Sequence, residues 1–164
     1  MYTMIQAGSM GIPFTATLGY AGTDIMKRRP NDFKSIENPF DPDELIVVAK
    51  AMNPDVAIIH GLKGDRNGNI LVQKQGEDIL LAQASQQPIA SVDEIVDHID
   101  ISDNEGWMIP GIYISAVVYA PYGAHPTGIP GVYDPDENYI REYIDATASN
   151  ISFTKYLDDY VFRI

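Results

Sequence analysis

Residues 54–70 read PDVAIIHGLKGDRNGNI, and this stretch decides the fold. It opens with DVAIIH, Asp55 to His60, a short apolar run with β-branched residues between Pro54 and Gly61. That length and composition predict a buried central strand. Gly68 and Asn69 supply a tight turn, after which Ile70 to Gln73 reads as a second strand. Glu77 to Ser85, EDILLAQAS, is rich in helix formers and puts Ile79, Leu80 and Ala84 on a common face. Pro88 to Val92 reads as another strand. Ser91, three residues before Glu94, offers a capping box that predicts a brief helix over Val92 to Val96. IYISAVVY, Ile112 to Tyr119, is the strongest strand signal in the chain. Strands alternating with helices predict an α/β fold with a mainly parallel sheet flanked by helices.

The flanks are less regular. Met1 to Gly22 is rich in glycine and small residues and reads as loops around short extended pieces. Met26 to Pro42 is charged and carries Pro30, Pro39 and Pro42, a surface excursion with a short strand around Phe33 to Ile36. Its NPFDPDE is turn chemistry. Beyond Pro121 an irregular segment runs to Pro135, where Asp134 and Pro135 read as N-cap and first helical residue. Tyr139, Ile140, Tyr143 and Ile144 follow at helical spacing. Ile151 to Ile164 reads as a second helix, whose stripe of Phe153, Tyr156, Leu157, Tyr160 and Val161 packs either on the chain's own sheet, the commoner case, or on another subunit.

The chain has 164 residues, the size of one domain. Its 23 acidic against 11 basic residues give a formal charge of -12, which repels phosphate backbones and anionic membranes. Nucleic acid and membrane are therefore not expected as partners. There is no cysteine, which excludes disulfides, thiolate metal sites and a cysteine nucleophile. No apolar run approaches a membrane span, and the N-terminus lacks the pattern of a secretory signal, so a cytoplasmic location is expected.

Four segments, in order, carry a resemblance. Residues 8–24, GSMGIPFTATLGYAGTD, look like GxPFxPTxGxxGTD. Residues 54–70 are similar to ADVAxIHxxxADxxGNV. Residues 81–97, LAQASQQPIASVDEIVD, match AAKxVIVTVEEIVD. Residues 110–133, PGIYISAVVYAPYGAHPTGIPGVY, are similar to PGxxVDAVVxxPxGAHPxxxxGxY. Together they resemble the alpha subunits of family I CoA-transferases, in the glutaconate branch. The resemblance implies a partial CoA-transferase (NagB/RpiA-like) fold, with residues 1–164 as a single alpha-like domain. Alpha subunits of that branch are about twice as long, and what has no counterpart here is their N-terminal half, with its glycine-rich CoA-binding segment. A split alpha chain, a truncated product and an expressed fragment all fit that difference.

The resemblance also implies partners and a site. Coenzyme A would be a substrate, as acyl-CoA, rather than a tightly bound cofactor. A beta-type subunit would carry the nucleophilic glutamate, since nothing here resembles the sequence around it, and a separate N-terminal alpha half is a further partner. The catalytic set in this chain is then empty. Met10, Gly11, Ile12, Pro13 and Phe14 would border the acyl pocket, and Tyr122, Gly123, Ala124, His125 and Pro126 would line it. Read from the residues alone, either His125 or the adjacent backbone N–H groups contact the acyl substrate or the CoA, or His125 braces its loop by hydrogen bonding the backbone. The loop follows a strong strand, where α/β sheets place ligands.

Asp65, Arg66 and Asn69 read first as local turn chemistry, with Arg66 as an alternative reader of a phosphate or a partner. His60 reads as a satisfied core histidine. His60, His125, Asp65 and Asp134 show no metal-site spacing, and there is no Gly-x-Ser-x-Gly elbow. Glu94 looks helix-capping, and Glu105 is expected in a surface loop. The implied reaction is CoA transfer from an acyl-CoA to a carboxylic acid, in which a glutamate attacks the thioester and passes through an anhydride and a glutamyl-CoA. A ring-opening hydrolase subunit on the same scaffold and a non-catalytic assembly module remain open.

Overall fold

The computed structural model describes residues 1–74, 76–100 and 106–162. The chain forms two compact units, Met1–Pro121 and Tyr122–Ile164. The first contains helix α1 (Tyr2–Ser9), strand β1 (Phe14–Thr17), helix α2 (Asp24–Arg28) and strands β2 (Phe33–Asn38), β3 (Asp41–Lys50), β4 (Val56–Asp65) and β5 (Ile70–Val72). Helix α3 (Asp78–Ala84), strands β6 (Gln87–Val96) and β7 (Trp107–Ile109), a 3-10 turn (Gly111–Tyr113) and strand β8 (Ala116–Tyr119) complete it. The second unit holds helices α4 (Glu137–Ala146) and α5 (Asn150–Tyr160).

The DVAIIH run does form the central strand. The five-stranded sheet has the order β7-β5-β4-β6-β8. Pairing is parallel along β4, β6 and β8, and antiparallel from β4 through β5 to β7, so this α/β sheet is mixed. One face is packed: Ile59, Ile70, Val72, Ala82, Ala90, Val92 and Ile109 form the core, with Ile79, Leu81, Ile114 and Val117 against it. Helix α3 lies over this face, and α1 packs on α3. The other face differs from the expectation of a strand buried on both sides. Ala57 and Ile59 are buried while the intervening Ile58 is 79% exposed.

A separate antiparallel sheet, β1-β3-β2, holds the second core, where Met4 of α1 meets Phe33, Val47 and Ala49. The expected strand near Phe33 is β2, and the NPFDPDE turn is the β2–β3 hairpin. Strand β3 had no sequence expectation behind it. Its charged start is exposed and only Val47, Val48 and Ala49 are buried.

Four sequence expectations are corrected. The N-terminal residues form helix α1, not loops. Gly8 disfavours helix, but a Cβ there would sit 2.2 Å from the Met52 carbonyl oxygen, so glycine is what lets α1 reach β3's end. The capping-box helix over 92–96 is absent because β6 continues as strand. Ser91 Oγ is engaged by His60 Nδ1 at 2.8 Å, and residues through Val96 pair with β4. Of IYISAVVY only Ala116–Tyr119 is strand, at the sheet edge, after the 3-10 turn. Helix α4 is capped by Asp136, which accepts from Tyr139 N at 3.0 Å, so the cap lies two residues beyond Asp134.

In the second unit α4 and α5 meet through tyrosine. Tyr139 lies edge-on to Tyr156 and Tyr160, and Tyr143 lies edge-on to Phe153 and Tyr156. The α5 stripe thus packs on α4. Edge-to-face rings add roughly 0.5–1.5 kcal/mol per pair beyond their area, and neither helix buries a residue completely. Hydrogen bonding to Tyr139, with partial burial and nearby negative charge, pushes the Tyr156 hydroxyl up to about 12. No helix of the described residues is long and apolar enough to cross a membrane.

Ile109 is fully buried on β7 against β5. Ile109→Ala is expected to cost about 3 kcal/mol, from lost burial plus the cavity. Exposed Leu45→Ala should change stability by under ~0.5 kcal/mol. Urea denaturation of both variants checks the contrast.

Candidate functional site

The expected site residues fall into two segments, one in each unit. Met10 to Phe14 is built by the way α1 ends. Gly11 has φ 69°, and its N–H donates to Gly8 O at 3.0 Å while Ile12 N–H donates to Ala7 O at 2.9 Å. This pair of bonds is a Schellman cap, which needs a left-handed residue and so glycine. Pro13 O then accepts from Ala51 N at 3.0 Å, and Phe14 enters β1 opposite Lys50. The result is a fixed backbone presenting apolar side chains to solvent: Met10 is 65% exposed, Phe14 49% and Ile12 42%.

The second segment, Tyr122 to Pro126, is bound as tightly to its own unit. Tyr122 holds φ 57°, uncommon for a bulky residue. Its ring packs on Tyr133 at 5.1 Å, and the Tyr133 hydroxyl accepts from Ala124 N at 3.2 Å. His125 N donates to Tyr122 O at 2.9 Å, closing a turn around Gly123, and the His125–Pro126 bond is cis. Thr127 Oγ1 donates to the Ala124 carbonyl.

His125 is held by side chains rather than by backbone. Its Nε2 lies 3.2 Å from Asp136 Oδ2, and its ring sits edge-on to Tyr139 at 4.9 Å. Asp136 thus caps α4 with one oxygen and engages His125 with the other. The N–H of Tyr139, then His125, hold its carboxyl below the usual range. Asp136, Tyr133 and Tyr139 were not expected as site residues from sequence, where Tyr139 read only as part of a helical stripe. The spacing of Asp136 to Tyr139 is an N-cap signal, but nothing in the sequence ties it to His125.

Asp65 anchors the β4–β5 turn. It is buried and accepts from Asn67 N at 2.9 Å, Asn69 N at 3.0 Å and Asn69 Nδ2 at 2.8 Å. Burial pushes its carboxyl up, but donation by the Asn69 side chain and by the backbone of Asn69, Asn67 and Ile99 outweighs this, and the net shift is downward. Asn69 Oδ1 accepts in turn from Gly111 N at 2.9 Å. The local reading of DRNGN therefore holds. Arg66 pairs with Asp97 at 2.8 Å on the surface.

His60 is only half satisfied. Nδ1 bonds Ser91 Oγ, but Nε2 has no hydrogen-bond partner among the described residues and lies 3.5 Å from Asp93 Oδ2. Both Asp93 oxygens are buried and make no hydrogen bond among the described residues, so the ion-pair contact with His60 is what faces the carboxylate. Ser91 and Asp93 were legible only as alternating strand residues. Glu94 is exposed on β6 opposite Lys63, not helix-capping, and position 105 lies outside the described residues. Among the described residues, no group of three or more His, Cys, Asp or Glu could hold a metal.

The chain belongs to the coenzyme A transferase family, whose model matches residues 1–120. It is 35% identical to the A-type subunit of 3-oxoadipate CoA-transferase from Pseudomonas knackmussii, over 94% of this chain and 54% of that protein. It is 32% identical to the A-type subunit of glutaconate CoA-transferase from Acidaminococcus fermentans, over 100% of this chain and 56% of that protein. The crystal structure of glutaconate coenzyme A-transferase from Acidaminococcus fermentans superposes with a TM-score of 0.88 at 29% identity, covering 99% of this chain and 56% of that one. The chain thus spans about half the length of these relatives.

Asp65→Asn places an amide against the Asn69 amide and is expected to cost about 2 kcal/mol at neutral pH. The wild-type carboxyl has its folded pKa below its unfolded one. Its contribution is therefore present above the ordinary value near 3.8 and lost as pH falls through the depressed value. Thermal melts between pH 7 and pH 2 should show the gap between wild type and variant closing at the acid end.

Proposed function

We propose that this chain is the alpha-type portion of a CoA-transferase that moves CoA between an acyl-CoA and a carboxylic acid, active only when assembled with partner chains. The observation that carries this reading is the match to the A-type subunits of two CoA-transferases along nearly the whole chain, second unit included. That continuity also supports treating residues 1–164 as one alpha-like domain.

In the proposed reaction a glutamate carboxylate of a beta-type partner attacks the thioester carbonyl. A C–O bond forms, the C–S bond breaks and CoA leaves as thiolate, giving a mixed anhydride. The thiolate then attacks the glutamyl carbonyl, releasing the first acid as carboxylate and forming a glutamyl-CoA thioester. The acceptor acid reverses these steps. Coenzyme A is substrate throughout. This chain supplies walls: Met10, Ile12 and Phe14 from one segment, Tyr122 and His125 from the other. Walls of fixed backbone suit this task, because orientation of the reacting carbonyl is where a positioned pocket lowers the barrier.

The test is reconstitution with a beta-type chain, following the appearance of the new acyl-CoA from an added free acid. Release of free CoA without a new acyl-CoA would replace transfer by hydrolysis. In the active assembly His125→Ala is expected to lower kcat/KM by about tenfold, ~1.4 kcal/mol of transition-state binding. An unchanged kcat/KM would remove His125 from the pocket.

A further inference from the structure

One carboxylate has two tasks at the start of α4. Asp136 Oδ1 accepts from Tyr139 N at 3.0 Å as the N-cap, and Oδ2 lies 3.2 Å from His125 Nε2. The second contact is not needed to close the loop. His125 N–H donates to Tyr122 O at 2.9 Å, Ala124 N–H to the Tyr133 hydroxyl at 3.2 Å and Asp136 N–H to Pro126 O at 2.9 Å, all without the Asp136 side chain. What the contact fixes is the imidazole ring, to which Tyr139 sits edge-on at 4.9 Å. An ionised carboxylate only accepts, so the Nε2 that faces it carries a proton, and in the neutral ring Nδ1 then has none. Nδ1 makes no hydrogen bond among the described residues, and the side chain is 46% exposed.

We propose that Asp136 is a positioning residue for the acyl site: it pins a proton of His125 on Nε2, so that Nδ1 binds an oxygen of the acyl group or of the acceptor acid only when the ring is protonated. The inference rests on the placing of His125 in the pocket under the proposed function. The thioester carbonyl and the acceptor's carboxylate offer oxygens, which accept and do not donate. A neutral ring with a bare Nδ1 meets them with a lone pair, whereas a protonated ring meets them with a charge-assisted N–H. The Asp136 carboxyl stays ionised through this change, because the Tyr139 N–H and then His125 hold it below the usual range. Among the described residues, Asp136 and Tyr139, both at the start of α4, are the ionisable groups in contact with the ring.

Asp136→Asn tests this without losing the helix cap, since asparagine caps as well as aspartate. Its oxygen stays on Tyr139 N and its NH2 turns to Nε2. Nε2 must then accept, and the proton of the neutral ring moves to Nδ1. The chain has three histidines, and long-range proton–nitrogen NMR spectra of the full 164-residue chain tell the two tautomers apart, with His125 assigned by its loss in His125→Ala. Nε2–H in the wild type and Nδ1–H in Asp136→Asn is the expected result, and the same tautomer in both overturns the proposal. In the assembly reconstituted with a beta-type chain, the wild-type KM for the acceptor acid should rise about tenfold between about pH 5.5 and pH 8.5. For Asp136→Asn the rise should be under about twofold, because a neutral ring now offers Nδ1–H, and the difference should lie in KM rather than kcat. Parallel KM profiles overturn the positioning role even with the tautomer switched, since a residue that only capped α4 would give them. A switched tautomer with no transfer at any pH supports the pinning of the ring and sinks the functional reading alone.

Discussion

Strand β4 is paired in two senses at once, parallel to β6 over nearly its full length and antiparallel to the short β5. The antiparallel pairing depends on how the strand turns at its end. Asp65 there draws the N–H groups of Asn67 and Asn69 and the Asn69 amide into one buried carboxylate. The charge is tolerable because those donors replace its water. Asn69, so fixed, accepts from Gly111 and places the 3-10 turn that leads into β8. A Cβ at Gly111 would stand 2.2 Å from the Asn67 carbonyl oxygen, so the chain can pass this close only as glycine. One carboxylate thereby sets the hairpin and the approach to the far edge strand.

The two candidate segments share a design although they stand in different units. In each, the backbone is locked by local bonds and an uncommon torsion, Gly11 in one and Tyr122 in the other. In each, the side chains left outside are apolar or aromatic. The torsional cost at Tyr122 is met by its ring contact with Tyr133 and by the turn closed at His125. Rigid backbone with exposed apolar groups is what a wall needs before its ligand arrives, since little is then lost in ordering it.

How much of this could be read beforehand varies with how local the signal is. The central strand, β5, α3 and the two C-terminal helices are legible as short runs, although Ile58 is exposed on the strand and Leu81 rather than Leu80 packs on the core from α3. The DRNGN turn is legible because the bonds within it span at most four residues. Helix α1 was not, since Gly8 lowers helix propensity and the reason for that glycine lies over forty residues away at Met52. The capping box at Ser91 failed the same way, because a histidine on β4 claims the hydroxyl. Phe14 and His125 were singled out by resemblance and by loop position. The partners of His125, Asp136 and Tyr139, come from the following helix, and no spacing rule connects them.

The charge balance bears on which end of a CoA thioester this chain would meet. Coenzyme A carries phosphates at one end and the reacting acyl group at the other. Phosphates are read by arginine, lysine or helix N-termini. Neither Met10 to Phe14 nor Tyr122 to Pro126 contains a lysine or an arginine, and the chain as a whole is strongly acidic. Arg66, the one cation singled out near a turn, is already paired with Asp97. Apolar walls with one histidine are suited instead to an acyl group, where shape and a single polar contact fix orientation. In the proposed activity each of these segments is therefore matched to the acyl end of the thioester rather than to its phosphates.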